Sequence, residues 1–350
     1  MKITSTKLWA LVTVARIRLW RFAPVLVLCV VIGAALAQQD TAGRASRPAT
    51  RELRHMRLYG VATSVSFSNV NRNDARAALK VWFDIVAQQD GFILDSSIDI
   101  VDDVMEVVGR LRNHSVDMIV MSVADYLEIE GNRQIVPVLT HARGPQGGSL
   151  YSYVLLVNPS SGLTTISGLR GKNVLVSSRN GSNTGSVWID VLLGKEKLGR
   201  AASFFGSIKA ADKPQACILP LFFGKLDACV VDEVNLDLAK EMNPQLGQLK
   251  VLARSRPMIE SVIALPVEPG PYQQEMIDSI LSLHEDPRGR QLLMVFKTER
   301  IVRLQPGDLD SARELWRDYY QLPGSSPHRA GAGPAPAMVG EQAGRGKESH

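Results

Sequence analysis

Short aliphatic runs alternate with stretches of helical period along most of this chain, and that alternation limits the folds open to it. The runs are MRLYGVA (56–62), FILDSS (92–97), DMIVMS (117–122), YVLLV (153–157), NVLVSS (173–178), DACVVD (227–232), LKVLARS (249–255) and SVIALP (261–266). Helical periodicity fills Asp74 to Gln89, Val101 to Arg112, Ser186 to Leu193, Gln215 to Phe223, Tyr272 to Leu283 and Asp308 to Tyr320. Strands separated by helices of this length predict parallel α/β sheets. Ligands of such sheets bind beyond the carboxyl ends of the strands, in the connecting loops.

Those loops are selectively polar. Thr63, Ser64 and Ser66 follow the first strand, Ala124-Asp125-Tyr126 follow DMIVMS, and Glu233 follows DACVVD. After NVLV comes SSRNGSNTGSVWID (177–190), which leaves an aliphatic strand through hydroxyls, amides and glycines before a helix begins. Two readings fit that stretch. Ser182, Asn183 or Thr184 caps the helix, as such residues routinely do, or the backbone N–H groups and helix dipole gather around an anion. Each strand-end residue alone is a turn former or a cap; their joint placement is what points to binding.

The two ends of the chain have a different character. Lys2, Lys7, Arg16, Arg18 and Arg21 precede an uncharged run from Phe22 to Ala37 that closes on Ala35-Leu36-Ala37. This predicts a secretory signal peptide over 1–37 with cleavage after Ala37. The run falls short of the ~20 apolar residues of a spanning helix, the alternative of an uncleaved anchor. Cys29 lies inside it behind Leu28, which does not suit a lipid anchor. Residues 38–54 read as a polar linker, and 323–350, rich in Gly, Pro and Ala, read as a disordered tail.

Removing the leader changes the balance of the rest. The whole chain carries +5. The leader holds five basic residues and no acid, so 5 minus 5 leaves the remainder near zero, and nucleic acid is not an expected partner. Cys217 and Cys229 remain. Export would let them pair, but ACILPLFF and DACVV are apolar surroundings of the kind that hold buried free thiols, and the sequence reading favours free thiols. His55, His328 and His350 lie at or beyond the edges of the core, and His114, His141 and His284 fall in separate segments. With no H-E-x-x-H, no Cys/His metal spacing and no G-x-S-x-G elbow, the chain is expected to bind and not to catalyse, with no cofactor.

The runs GVATSVSFSNVNRNDARAALKVWFDIVAQQ, LRNHSVDMIVMSVADYL, SYVLLVNPSSGLTTISGLRGKNVLVSS, LGRAASFFGSI and LPLFFGKLDACVVDEV, followed by NPQL, taken in order, resemble the phosphate/phosphonate-type (PhnD-like) solute-binding proteins of ABC transporters, from about Met56 to about Leu322. The resemblance implies a type II periplasmic-binding-protein fold: two α/β lobes joined by two crossing strands, closing on a ligand in the cleft. YVLLV would be the first crossing and SVIALP the return. Lobe one would be 55–152 plus 266–322, and lobe two 153–265, with Gly144-Pro145-Gln146-Gly147-Gly148 just before the first crossing or simply a surface loop.

Family members hold the oxyanion at a Ser/Thr/Gly-rich helix start in lobe two, and the matching residues here are Arg179, Asn180, Gly181, Ser182, Asn183 and Thr184. Neutral hydroxyl and backbone donors suffice for a buried anion; Arg179 either adds a bidentate contact or faces solvent. Thr63, Ser64, Ser122 and Tyr126 match lobe-one loops facing the same cleft. Asp232 and Glu233 stand where amino-bearing ligands meet a carboxylate in some members, with a helix cap the alternative for Asp232. The loop RNGSNTGS is longer and richer in amides than the usual Ser/Thr-Gly-Ser pattern, so phosphate, phosphonate, phosphite, sulfonate and other small anions all stay open. The implied role is a monomeric periplasmic protein that delivers a small oxyanion to an ABC permease; the alternative is a ligand-sensing subunit that reports to a membrane-bound signalling partner.

Overall fold

The computed structural model describes residues 54–67, 72–90, 92–143, 148–177, 182–211 and 213–325. The expected leader, nearly all of the linker and the tail beyond Ser325 lie outside the described residues, as do Arg179, Asn180 and Gly181. The chain first forms β1 (Arg54–Thr63), β2 (Phe92–Val101), β3 (Met118–Ser122) and β4 (Ile135–Ala142). It crosses to β5 (Tyr153–Val157), β6 (Asn173–Ser177), β7 (Ser207–Ala211), β8 (Ala228–Asp232) and β9 (Lys250–Arg254), and returns as β10 (Ser261–Pro266) and β11 (Arg300–Arg303). Two sheets result, ordered β11-β4-β10-β3-β1-β2 and β7-β6-β8-β5-β9. Aligned from β2 and β7, the orders coincide strand for strand: β1 answers β6, β3 answers β8, and β10 answers β5.

The same local device starts both halves. Asp117, just before β3, accepts the Tyr59 N–H at 2.8 Å, and Asp227, just before β8, accepts the Asn173 N–H at 2.9 Å. Each carboxylate fixes the register of its strand against the parallel neighbour. β3, β5 and β8 are buried along their whole length, which is why they read as unbroken aliphatic runs.

The expectation of parallel sheets needs a correction. β1 runs parallel to β2 and β3, and β6 parallel to β7 and β8, but β10 is antiparallel to β3 and β4, and β5 antiparallel to β8 and β9. The strand that comes from the other half enters each sheet against the grain. SVIALP, expected as the return crossing, pairs wholly within the first sheet.

Helices cover the sheets: α1 (Arg72–Asp90), α2 (Val104–Arg112), α3 (Val123–Ile129), α4 (Thr184–Lys195), α5 (Ala201–Phe204), α6 (Gln215–Phe222), α7 (Glu233–Met242), α8 (Gln273–Ser282), α9 (Pro287–Val295) and α10 (Asp310–Tyr320). The helix expected from Val101 starts later, because β2 continues to Val101 and Asp103 caps α2 by accepting the Met105 N–H at 2.8 Å. Among the described residues no helix is long and apolar enough to cross a membrane.

α10 touches both halves. Ala312, Leu315 and Trp316 are buried in one core cluster with Val104 and Ile119 of the first half and Val187 and Trp188 of the second. Arg313 pairs with Glu130 after α3, while Asp318 pairs with Lys195 of α4 at 2.8 Å and Arg200 lies 4.8 Å from the centre of the Tyr319 ring. Order extends past the expected start of the tail, because the Ser325 hydroxyl donates to Tyr319 O and accepts from Arg200.

The cysteines also differ from the sequence reading. Cys217 on α6 and Cys229 on β8 form a disulfide, with Cα atoms 5.7 Å apart and both residues fully buried. The apolar flanks that suggested free thiols belong to the face between α6 and β8, where the two side chains converge.

Candidate functional site

On the first half, β1 ends at the buried Thr63 and β3 at the buried Ser122. Ser122 is the N-cap of α3, its hydroxyl accepting the Asp125 N–H at 3.1 Å. Thr63 Oγ1 donates to Asp125 Oδ2 at 2.7 Å and lies 3.3 Å from Ser66 Oγ. Ser64 turns outward to Asp102, whose carboxyl is held below its usual range first by Arg72 and then by the Ser64 hydroxyl. Tyr126 is buried, and its hydroxyl donates to Glu130 Oε1 at 3.2 Å on the side facing Arg313. Burial, then the Glu130 charge, push the phenol up to about 12.

On the second half, β6 ends at Ser177, and the described chain resumes at Ser182. The N-cap of α4 is Asn183, which makes no side-chain cap hydrogen bond. Ser182 instead accepts the Thr184 N–H at 3.2 Å, and the Ser182 and Thr184 hydroxyls touch at 2.5 Å. Both residues are buried. The start of α4 therefore presents two buried hydroxyls, those of Ser182 and Thr184, and N2 and N3 amides, those of Gly185 and Ser186, that do not donate to the Asn183 side chain. Asp232 caps α7, accepting the Asn235 N–H at 3.0 Å. Glu233 pairs with Arg254.

Two crossing segments join these halves and repeat one geometry. Ser152 O, just before β5, accepts the Glu233 N–H at 2.9 Å, and Glu260 O, just before β10, accepts the Val123 N–H at 2.8 Å. Each crossing thus holds the first turn of a helix that follows a strand end. Tyr151 and Met258 exchange backbone bonds of 2.8 and 2.9 Å, pairing the crossings directly. The fully buried Tyr153 donates its hydroxyl to the Glu260 carboxylate. Its ring stacks on Trp188 at 6.4 Å and presses on Gly185, where an added Cβ would lie 3.1 Å from Tyr153 Cε1. A continuous set of contacts therefore runs from Ser122 through Val123, Glu260 and Tyr153 to the start of α4.

Among the described residues no group of three or more His, Cys, Asp or Glu is placed to hold a metal ion. The chemistry on offer is hydrogen bonding by small hydroxyls and helix-start amides, beside several buried carboxylates.

The sequence profile described as ABC transporter, phosphonate, periplasmic substrate-binding protein matches residues 68–309. The chain belongs to that family. Solved structures similar to this phosphonate-family binding protein agree on the fold. XAC2383 from Xanthomonas citri, bound to ATP, is 17% identical with a TM-score of 0.55, covering 75% of this chain and 97% of its own. A binding-protein component of a phosphonate ABC transporter from Pseudomonas aeruginosa is 12% identical at a TM-score of 0.51, over 77% of this chain and 87% of its own. PhnD1 from Prochlorococcus marinus, in complex with methylphosphonate, is 15% identical at 0.50, over 76% and 99%. No curated protein matches the chain.

In this phosphonate-family protein the structure brings Thr63 and Ser122 together through Asp125, and Ser182 and Thr184 directly. Asp232 and Glu233 are engaged in capping and an ion pair, and Tyr126 and Ser64 direct their hydroxyls at Glu130 and Asp102. Sequence reading placed Asp125 among the polar residues that follow β3 but not among the ligand contacts, and it did not single out Tyr153 or Glu260. Asp125 carried a signal, since Ser122-x-x-Asp125 has the spacing of a capping box, whereas the Tyr153–Glu260 bond depends on the crossing of two distant segments.

Proposed function

We propose that this chain is a periplasmic solute-binding protein that captures a small oxyanion, of the phosphonate, phosphate or phosphite kind, in the cleft between its two lobes and delivers it to an ABC permease. The observation that carries this reading is that one pair of crossing segments reaches the hydroxyl-bearing ends of both halves, through the Val123 N–H bond to Glu260 O beside Ser122 and through Tyr153 packing on Gly185 and Trp188 at the start of α4. A ligand held by Thr63 and Ser122 on one side and by Ser182, Thr184 and the α4 amides on the other would favour the closed arrangement, because only there are both sets of contacts made. Family membership supports it, as does the methylphosphonate held by the Prochlorococcus marinus relative.

Calorimetry with methylphosphonate, phosphate and phosphite tests the reading. Ser182→Ala and Thr184→Ala should each weaken binding by roughly 1.5–3 kcal/mol, more than tenfold, while changing stability by no more than about 1 kcal/mol. Small-angle scattering should show a smaller radius with saturating ligand. Full affinity in both variants would make the stretch a helix start only, and an unchanged radius with a tightly held ligand would refute closure.

A further inference from the structure

We infer that the first half carries a second binding site, remote from the cleft, where Asp117 receives the ammonium group of a small organic amine. The two halves use one device at the starts of β3 and β8, an aspartate that accepts the N–H of the neighbouring strand: Tyr59 to Asp117 at 2.8 Å, and Asn173 to Asp227 at 2.9 Å. The other oxygens of the two carboxylates differ. Asp227 Oδ1 has the Lys172 ammonium 3.9 Å away. Lys172 precedes Asn173 as Leu58 precedes Tyr59, so the first half has a leucine, 2% exposed, where the second has its lysine. Burial raises the Asp117 carboxyl and only the Tyr59 N–H lowers it. The ionised group thus lacks the compensation that Lys172 gives Asp227.

A cavity adjoins that carboxylate. Asp117 lines a space of about 230 Å³ whose apolar part includes Leu58, Leu111 and Met276. Gly270 belongs to the same lining, and a Cβ added there would meet Asp117 Oδ1 at 3.7 Å, which places that oxygen on the cavity wall. The other charges around it are engaged: Glu268 lies 3.8 Å from His114, and Arg57 lies 3.8 Å from Asp95. His114 and Tyr272, both of the lining, hold left-handed backbone at φ 48° and 63°, a conformation uncommon outside glycine and met where ligands are clamped. The volume lies below the ~300–1,000 Å³ of pockets for drug-sized ligands. It suits an amine of a few carbons, its ammonium on Asp117 as Lys172 stands on Asp227 and its chain on the apolar lining. The site is independent of the cleft, because Asp117 precedes β3 and Ser122 ends it, about 16 Å of strand away.

The test titrates the purified protein with n-butylammonium, with n-butanol, similar in shape but uncharged, and with butyrate, of opposite charge, following the Tyr59 amide by NMR. The wild type should bind n-butylammonium at least about tenfold more tightly than n-butanol, with a saturable shift of the Tyr59 amide, and should not respond to butyrate. Asp117→Asn, which keeps an oxygen for the Tyr59 N–H and loses the charge, should bring the affinity for n-butylammonium down to that for n-butanol. Gly270→Val leaves the carboxylate in place while filling the cavity, and should weaken binding of both by about tenfold or more. Equal wild-type affinity for ammonium and alcohol, or no response to n-butylammonium, would overturn the inference. So would a preference that survives in folded Asp117→Asn or an unchanged affinity in folded Gly270→Val. If neither variant folds, the wild-type ratio and the Tyr59 response decide.

Discussion

The disulfide offers a prediction whose size follows from its place in the chain. Cys217 and Cys229 are separated by 12 residues and both are fully buried. In the chain-entropy account, closing a loop of that length removes about 3 kcal/mol of freedom from the unfolded state. For a chain of this size each kilocalorie moves the melting temperature by roughly 2–4 °C, so losing the bond should lower it by about 6–12 °C. Thermal and urea unfolding of a chain starting at residue 38, with and without reductant, measures this directly. A Cys217→Ala/Cys229→Ala double variant repeats it without reductant and should then be indifferent to reductant. Thiol labelling of the denatured, unreduced protein should find no free group. Two labelled thiols would mean that the bond is not formed, and a reductant-insensitive wild type with a formed bond would refute the entropic reasoning.

Other expectations follow from individual contacts. A Cβ added at Gly109 in α2 would meet no atom within 4 Å, whereas one added at Gly289 would collide with the Leu283 carbonyl; Gly109→Ala should therefore stabilise by ~0.5–1 kcal/mol and Gly289→Ala destabilise by ~1–3 kcal/mol in urea titrations. The Tyr126 phenol, pushed up to about 12 from an ordinary value near 10, holds its proton more tightly when folded. Its stabilising contribution is complete below about pH 10 and lost as pH rises towards 12, so Tyr126→Phe should flatten the alkaline fall in stability; an unchanged fall would count against this. Burial raises the Asp117 carboxyl even though the Tyr59 N–H lowers it. The native state then holds its proton to higher pH than the unfolded chain, so ionisation opposes folding as pH rises through the carboxylate range. Asp117→Asn should melt higher than the wild type at pH 7 and lose that advantage in acid.

The central framework was legible because buried strands advertise themselves. β3, β5 and β8 are apolar along almost all of their length, and β3 and β8 end on a hydroxyl and a carboxylate, Ser122 and Asp232, that cap the next helix. β4 was not legible: Pro137 argues against an inner strand, and it is accommodated where the register with β10 shifts between Ile263 and Ala264. β7, SIKAA, is a short edge strand in which only Ala211 is buried and Ile208 partly so, too little apolar pattern to announce a strand. α9 begins PRGR, whose polar and helix-poor residues hide the cap that Asp286 supplies to Arg288 and Gly289. In the site, strand-end residues could be read because the strand ends could. The directions of their side chains could not: whether Tyr126 faces a ligand or Glu130 is decided by α10, whose Arg313 arrives from far along the chain. The pairing of Tyr153 with Glu260 is likewise a product of topology and leaves no local pattern.

The position of β10 has a consequence for the order in which the molecule can be made. The second sheet is continuous in sequence and complete once β9 has been synthesised, whereas the first has β10 inserted between β3 and β4. Until residues 261–266 appear, β3 and β4 lack the strand that joins them, and the first half cannot close its core. The half that begins later is therefore the one able to finish first, and the earlier half waits on long-range pairing that is slow by nature. A nascent chain halted before residue 261 should protect the amides of β5, β6 and β8 from exchange while leaving β3 and β4 open. Such a delay leaves the leading half without its joining strand until roughly three quarters of the chain has been made.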